Sequence, residues 1–154
     1  MDPTTPGVRV LSSNVISVIA APFESLFSRA AAVVHHGGIG TIALALRAGC
    51  PMLLLPGFLL GQPDNAARTT GLGVARMLAR YDYNRFSATS ELIHLLYDPK
   101  YAARSAEIAR VVTAEDGVRS ACDAIERYIN IRARQPLNAT RKRRVSQLPA
   151  HRLR

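Results

Sequence analysis

A glycine-rich turn between a short apolar run and a helical pattern constrains this 154-residue chain more than any other feature. The run Ala31–Val34 is small and β-branched, which is typical of a strand buried on both faces of a parallel sheet. The segment His35–Thr41 (His-His-Gly-Gly-Ile-Gly-Thr) follows at once, and Ile42–Ala48 then has helical spacing with Gly49 at a C-terminal cap position. The pattern predicts a strand, a tight turn and a helix.

The rest of the chain repeats this alternation of strands and helices. Short apolar runs predict three further strands at Val15–Ala20, Pro51–Leu55 and Val74–Leu78. Helical spacing predicts five further helices at Phe23–Arg29, Asn65–Thr70, Ser90–Tyr97, Tyr101–Thr113 and Asp116–Ile131. Asp64 is the expected N-cap of the second of these, and Ser87 or Thr89 that of the third. Because strands that alternate with helices are joined by right-handed crossovers, we predict an α/β fold, a Rossmann-like parallel sheet with helices on both faces.

The positive charge of the chain is concentrated at its end. Residues 1–131 hold 12 basic and 11 acidic residues, a balance of +1, whereas residues 132–154 hold 8 basic residues and no acidic one, which together give the net +9. We therefore predict one folded domain in residues 1–131 and a basic, disordered tail in residues 132–154. The nearly neutral domain is not expected to bind a specific nucleic acid.

Membrane, secreted and metal proteins are not indicated. No run of about 18 apolar residues is present, so no membrane span is expected. The first six residues lack the basic and apolar regions of a signal peptide, which indicates a cytoplasmic location. The four histidines and two cysteines do not have metal-ligand spacing, so we predict no metal and no cofactor, and we expect Cys50 and Cys122 to be buried thiols.

The turn has the chemistry of a pyrophosphate site. In a doubly wound sheet, ligands bind at the edge where a strand ends and a helix begins. The first N–H groups of that helix are unpaired and partly positive, and glycines let a phosphate approach the main chain. Candidate phosphate-binding residues are His36, Gly37, Gly38, Gly40 and Thr41. The alternative is a simple tight turn between strand and helix, with structural histidines.

Two better-known phosphate motifs do not match this turn. Ala43 and Leu44 stand where the third glycine of a dinucleotide-binding fingerprint would fall, and no lysine follows the glycines as in a P-loop. A second polar cluster, Gln62, Asp64 and Asn65, follows the next strand and is expected at the same edge, where amides would suit a ligand rich in hydroxyls. The alternative is that Asp64 only caps a helix and its neighbours are solvated.

Taken together, these motifs resemble the glycosyltransferases that modify small molecules, the family of macrolide, sterol and plant-metabolite (UDP-glycosyltransferase-like) enzymes. The resemblance covers about residues 14–130 and is carried by His35–Thr41, Leu46–Pro51, Gln62–Arg68 and Gly71–Val74. It implies the C-terminal, donor-binding half of a GT-B fold. It further implies that His36, the main chain of Gly38 and Gly40, and Thr41 hold the diphosphate of a UDP- or dTDP-sugar, and that Gln62 contacts the sugar. The reaction would be an inverting transfer of a hexose to a small-molecule or lipid hydroxyl.

The sequence departs from the family pattern in ways that limit what the resemblance implies. Gly61 stands where an acidic residue usually precedes the glutamine, and Leu44 where a polar residue would reach the ribose. The catalytic base of the family lies in the acceptor-binding half, so we predict no catalytic residue here and no turnover by the chain alone. Two alternatives remain open: the donor-binding subunit of a two-subunit enzyme whose partner polypeptide supplies the acceptor domain, and a non-catalytic domain that binds nucleotide, or RNA through the tail.

Overall fold

A computed structural model of the protein describes residues 7–58 and 61–134. The chain divides into two compact units, the first ending at Ala114 and the second beginning at Glu115. The strands are β1 (Val8–Ser12), β2 (Val15–Val18), β3 (Val33–His35), β4 (Met52–Leu54) and β5 (Ala75–Met77). The helices are α1 (Phe23–Phe27), α2 (Ile39–Ala48), α3 (Gln62–Gly71), α4 (Arg85–Tyr97), α5 (Pro99–Ala114) and α6 (Gly117–Arg134), with a 3-10 turn at Arg80–Asp82.

The core of the first unit is a parallel sheet in the order β3-β4-β5. Strand β4 is fully buried at its centre. Because side chains alternate along a strand, Met52 and Leu54 face a cluster that includes Phe27 of α1 and Ile42 of α2. The intervening Leu53 packs with residues of α4 and α5. The predicted α/β fold with helices on both faces of a parallel sheet is thereby confirmed.

The predicted first strand does not join this sheet. Val15–Val18 pairs antiparallel with Val8–Ser12 in a separate two-stranded sheet, and the pattern had not indicated a strand at Val8–Ser12. Only residues 13 and 14 separate the two strands, and a connection this short permits only antiparallel pairing. The parallel sheet of the described chain therefore has three strands rather than four.

The hairpin exposes apolar side chains along its length. Val10 is 53% exposed, Ile16 54% and Ile19, just beyond β2, 88%. The hairpin register shifts between Val10 and Ser12, and the main-chain N–H of Ile19 donates to the carbonyl of Gly7, 3.0 Å away. The hairpin is held chiefly by its own backbone pairing.

Three predicted helix starts are wrong by three residues or more, each because a different residue occupies the cap. Helix α2 begins at Ile39, three residues earlier than expected, with Gly38 as N-cap. Helix α3 begins at Gln62 behind Gly61, whose φ of +91° is the left-handed conformation that favours glycine, so Asp64 lies inside the first turn and is not the cap. Helix α4 begins at Arg85.

The cap of α4 is an asparagine that the sequence analysis passed over. The Asn84 side chain accepts hydrogen bonds from the main-chain N–H groups of Phe86 (2.9 Å) and Ser87 (3.1 Å). The Ser87 hydroxyl oxygen in turn accepts from the N–H of Asn84, which completes a capping box. Neither Ser87 nor Thr89 is therefore the cap. The predicted C-terminal cap of α2 is confirmed, since Gly49 has a φ of +66°.

The second unit is described as one helix. Helix α6 runs to Arg134 and so includes the first three residues of the predicted tail, and the remainder of that tail lies outside the described residues. Cys122 of this helix is an exposed thiol, so the prediction of burial holds for Cys50 and is wrong for Cys122. Within the described ranges no helix is both long and apolar enough to cross a bilayer.

Candidate functional site

The carboxyl ends of the three parallel strands meet at one edge of the sheet. His35 is paired with Leu54, and Leu54 with Met77, so the segments that follow β3, β4 and β5 leave the sheet at the same level. A cavity of about 490 Å³ opens there, lined by His36, Leu55, Gly57, Phe58, Gln62 and Arg80. The structure therefore brings together one residue from each of the two predicted clusters, His36 and Gln62.

Gly37 fixes the shape of the turn after β3. Its φ is +85°, and a Cβ there would lie 3.4 Å from the main-chain oxygen of Gln62. Its N–H donates to Nδ1 of His35 at 3.2 Å, and its carbonyl accepts from Nδ2 of Asn65 at 3.3 Å. Both polar main-chain groups of Gly37 are thus used inside the protein, so this residue shapes the turn, and its predicted contact with a phosphate stays a prediction.

Gly38 makes room for the imidazole of His36. A Cβ on Gly38 would lie 3.0 Å from Nε2 of His36, closer than nine in ten real Cβ contacts. The His36 ring therefore lies against the bare Cα of Gly38, at the start of α2. Nothing lies within 4 Å of the place where a Cβ of Gly40 would be, so the space beside the first turn is open.

The N-terminus of α2 offers free main-chain donors next to His36. The first helical hydrogen bond runs from the N–H of Ile42 to the carbonyl of Gly38, 3.0 Å away, and no side chain caps the helix. The N–H groups of Ile39, Gly40 and Thr41 consequently have no acceptor among the described residues. The first turn carries no acidic residue, and Arg47 lies in the last turn. This end of the helix favours a bound anion.

His35 is neutral and acts as an acceptor. Burial, and secondarily the nearby His36, lower the pKa of His35 from 6.5 to about 4. Since Nδ1 accepts from Gly37, the proton of the neutral ring is on Nε2, which is buried and has no hydrogen-bond partner within the described chain. His35 therefore stabilises the turn, while His36 remains exposed at the cavity.

Gln62 is held at one end and open at the other. Its Oε1 accepts a hydrogen bond from the N–H of Gly57 at 2.9 Å, and a Cβ on Gly57 would come within 3.0 Å of that oxygen. No described residue accepts from its Nε2 group, which carries two N–H donors. The side chain is buried and lines the cavity, so it can donate to a ligand without reorganising.

The other two residues of the second cluster do not line the cavity. Asn65 donates to the carbonyl of Gly37 and so connects α3 to the turn after β3. The carboxylate of Asp64 is paired with Nε of Arg68 at 2.7 Å on the exposed face of α3. Their predicted contact with a sugar stays a prediction. Leu44 packs against the main core cluster, which leaves it in a structural position.

Arg80 is a cavity residue that the sequence analysis missed. It begins the 3-10 turn after β5 and lines the same cavity as His36 and Gln62. The rule that located the first two clusters, that residues after consecutive parallel strands share an edge, applies equally to the strand predicted at Val74–Leu78. Among the residues that the structure describes, no group of three or more His, Cys, Asp or Glu could hold a metal ion.

Comparisons with known proteins give a consistent result. Residues 2–122 match the profile described as erythromycin biosynthesis protein CIII-like, C-terminal domain. The chain is 38% identical over 123 residues to O-mycaminosyltylonolide 6-deoxyallosyltransferase of Streptomyces fradiae, which covers 79% of this chain and 29% of that protein. It is 36% identical to a sterol 3-beta-glucosyltransferase of Arabidopsis thaliana, covering 75% of this chain and 19% of that one. The chain thus spans less than a third of the length of these relatives.

Solved structures agree with the sequence comparison. The glycosyltransferase VinC in complex with dTDP superimposes with a TM-score of 0.71 at 29% identity, over 77% of this chain and 30% of VinC. The spinosyn forosaminyltransferase SpnP superimposes with a TM-score of 0.72 at 25% identity, over 79% of this chain and 32% of SpnP.

Proposed function

The chain belongs to the family of erythromycin biosynthesis protein CIII-like C-terminal domains, which are glycosyltransferase domains of the GT-B fold, and on this premise we propose that it binds a nucleoside-diphosphate sugar. The diphosphate would lie at the start of α2, between His36 and the N–H groups of Ile39, Gly40 and Thr41. The observation that carries the proposal is this uncapped helix N-terminus with an exposed imidazole beside it, in the space that Gly38 leaves open.

The geometry suits the chemistry of the leaving group. In sugar transfer, an acceptor hydroxyl attacks the anomeric carbon while the bond from that carbon to the diphosphate oxygen breaks. Negative charge then grows on the diphosphate, and fixed donors aimed at that position stabilise the transition state more than the ground state. His36 and the free N–H groups of α2 are such donors. We propose that they bind the donor and stabilise its departing nucleoside diphosphate.

The base that removes the proton of the acceptor is assigned to a region outside this cavity. His36 is already assigned to the diphosphate, and none of the other cavity-lining residues is a carboxylate or an imidazole. We propose UDP- or dTDP-sugars as the donor class, and a small-molecule or lipid hydroxyl as acceptor, by the likeness to the relatives. Because the base is assigned elsewhere, donor binding rather than turnover is the property to measure on this chain.

Isothermal titration of the purified chain with UDP and dTDP tests the proposal. We expect saturable binding that His36→Ala weakens by about tenfold to a hundredfold, the range for losing a hydrogen bond to a charged group. The control is His94→Ala, which removes an exposed imidazole on α4, away from the cavity-lining residues. If both variants bind as the wild type does, or if neither nucleotide binds to the wild type, the proposal is wrong.

A further inference from the structure

Arg80 occupies a defined place in the order of the sheet. The N–H of Leu55 donates to the carbonyl of His35 at 2.9 Å, and that of Leu78 to the carbonyl of Leu54 at 2.9 Å, so the pairing of the strands continues to the edge of the cavity. His36 therefore follows β3, Gln62 comes after the loop that leaves β4, and Arg80 follows β5. Gln62 lies between His36 and Arg80 in this order.

The guanidinium of Arg80 forms no ion pair with any described residue, although it lines the cavity. Other arginines of the same unit pair with carboxylates, namely Arg68 with Asp64, Arg76 with Glu91 and Arg104 with Glu107. Arg80 also lacks a carboxylate inside the cavity, since the residues that line it include no Asp or Glu. An unpaired cation in a cavity is available to a ligand.

The strand order indicates which part of a donor Arg80 would meet. Neighbouring strands lie about 4.8 Å apart, so the end of β5 is roughly 10 Å from the end of β3. A donor whose diphosphate lies at the end of β3 and whose sugar extends towards β4 would bring that sugar to the ends of β4 and β5. Gln62 and Arg80 both line the cavity on that side, and both carry N–H donors that can bind sugar oxygen atoms.

The sequence supplies a second, independent reason for this assignment. Gly61, the residue before Gln62, has no side chain that could accept hydrogen bonds from a sugar. The polar side chains that remain on this side of the cavity, the amide nitrogen of Gln62 and the guanidinium of Arg80, only donate. A sugar bound here is therefore recognised through its acceptor oxygens.

We propose that Arg80 is a specificity-determining residue that binds the sugar of the donor, together with Gln62. This inference rests on the proposed function and goes beyond it, because it assigns the sugar contact to the end of β5. It requires that substitution of Arg80 weaken binding of the nucleotide sugar and leave binding of the nucleoside diphosphate nearly unchanged.

The experiment compares UDP with UDP-glucose, and dTDP with dTDP-glucose, by isothermal titration of the wild type, Arg80→Gln and Arg110→Gln. Arg110 is an exposed arginine of α5, so its substitution changes the net charge equally without touching the cavity. We expect Arg80→Gln to weaken binding of the nucleotide sugar about tenfold, because one charge-assisted hydrogen bond is lost. Binding of the nucleoside diphosphate should weaken less than about twofold. Arg110→Gln should change neither.

The outcomes separate this inference from the proposed function. If Arg80→Gln weakens binding of the nucleoside diphosphate and of the nucleotide sugar equally, Arg80 contacts the diphosphate and the inference is wrong. If Arg80→Gln weakens binding of neither ligand, while His36→Ala still weakens binding of both, the inference is wrong and the proposed function stands. Circular dichroism and the urea midpoint of each variant establish that the folded state is retained. Arg80→Lys keeps the charge but loses the planar guanidinium, so its affinity for the nucleotide sugar should lie between those of the wild type and Arg80→Gln.

Discussion

Acidification should destabilise the first unit of the protein through His35. The pKa of this imidazole is lowered from 6.5 to about 4, chiefly by burial, so the folded protein holds it neutral where the unfolded chain is already protonated. The stability contributed by the neutral ring is complete above pH 6.5 and is lost progressively as the pH falls towards about 4. Protonation of Nδ1 would also remove the acceptor of the Gly37 N–H.

The size of this effect follows from the shift and from the partial exposure of the ring. A shift from 6.5 to about 4 corresponds to at most roughly 3 kcal/mol between the two protonation states. Because the imidazole is not fully buried, solvent screening reduces the contribution to roughly 1–2 kcal/mol of unfolding free energy. Other groups also titrate in this range, so the wild type must be compared with a variant that lacks the imidazole.

The measurement is urea denaturation of the wild type and His35→Asn at about pH 7 and about pH 4.5, values on either side of the ordinary histidine pKa. Asparagine can still accept from the Gly37 N–H, but it does not titrate. The loss on acidification should be roughly 1–2 kcal/mol smaller in His35→Asn than in the wild type. A histidine NMR titration that places the pKa of His35 near its ordinary value, or an equal loss in the two proteins, would refute this reasoning.

Two glycine substitutions separate the structural from the binding role of the turn. Gly37→Ala should lower the unfolding free energy by about 1–2 kcal/mol, measured by urea denaturation, because a φ of +85° is unfavourable for alanine; an unchanged midpoint would contradict this. Gly40→Ala should raise the unfolding free energy by up to about 1 kcal/mol, because alanine has the better helix propensity. The same change should weaken binding of UDP or dTDP in titration, because the added methyl group would enter the open space beside the diphosphate. Gly71→Ala, which also meets nothing within 4 Å, is the matched control and should leave binding unchanged; equal binding by both alanine variants would remove Gly40 from the site.

The sequence predicted the parts of the fold that local patterns determine. The strands at β3, β4 and β5 and the turn after β3 were located because apolar runs, glycines and helical spacing are local signals. The hairpin was missed because the pattern at Val15–Val18 does not reveal whether its partner precedes or follows it along the chain. Helix starts were misplaced where a glycine, Gly38 or Gly61, takes the cap position that polar side chains more often hold.

The candidate site was predicted in outline but not in detail. The rule that parallel strands end at one edge correctly placed His36 and Gln62 at a common cavity. It could not show that Asn65 would be used to connect α3 to Gly37, or that Asp64 would pair with Arg68, because these contacts depend on side-chain directions. Arg80 follows β5 and falls under the same rule, but a single arginine carries no motif that marks it as a ligand contact.

The exposed apolar hairpin has a practical consequence for handling the protein. Val10, Ile16 and Ile19 form exposed hydrophobic surface in the native state. Dyes that fluoresce on contact with hydrophobic surface respond to it before any unfolding. Melting curves read with such dyes would begin from a high signal and understate ligand effects. Calorimetry and far-ultraviolet spectroscopy avoid this problem, and low protein concentration limits association through the strand edges that have no partner among the described residues.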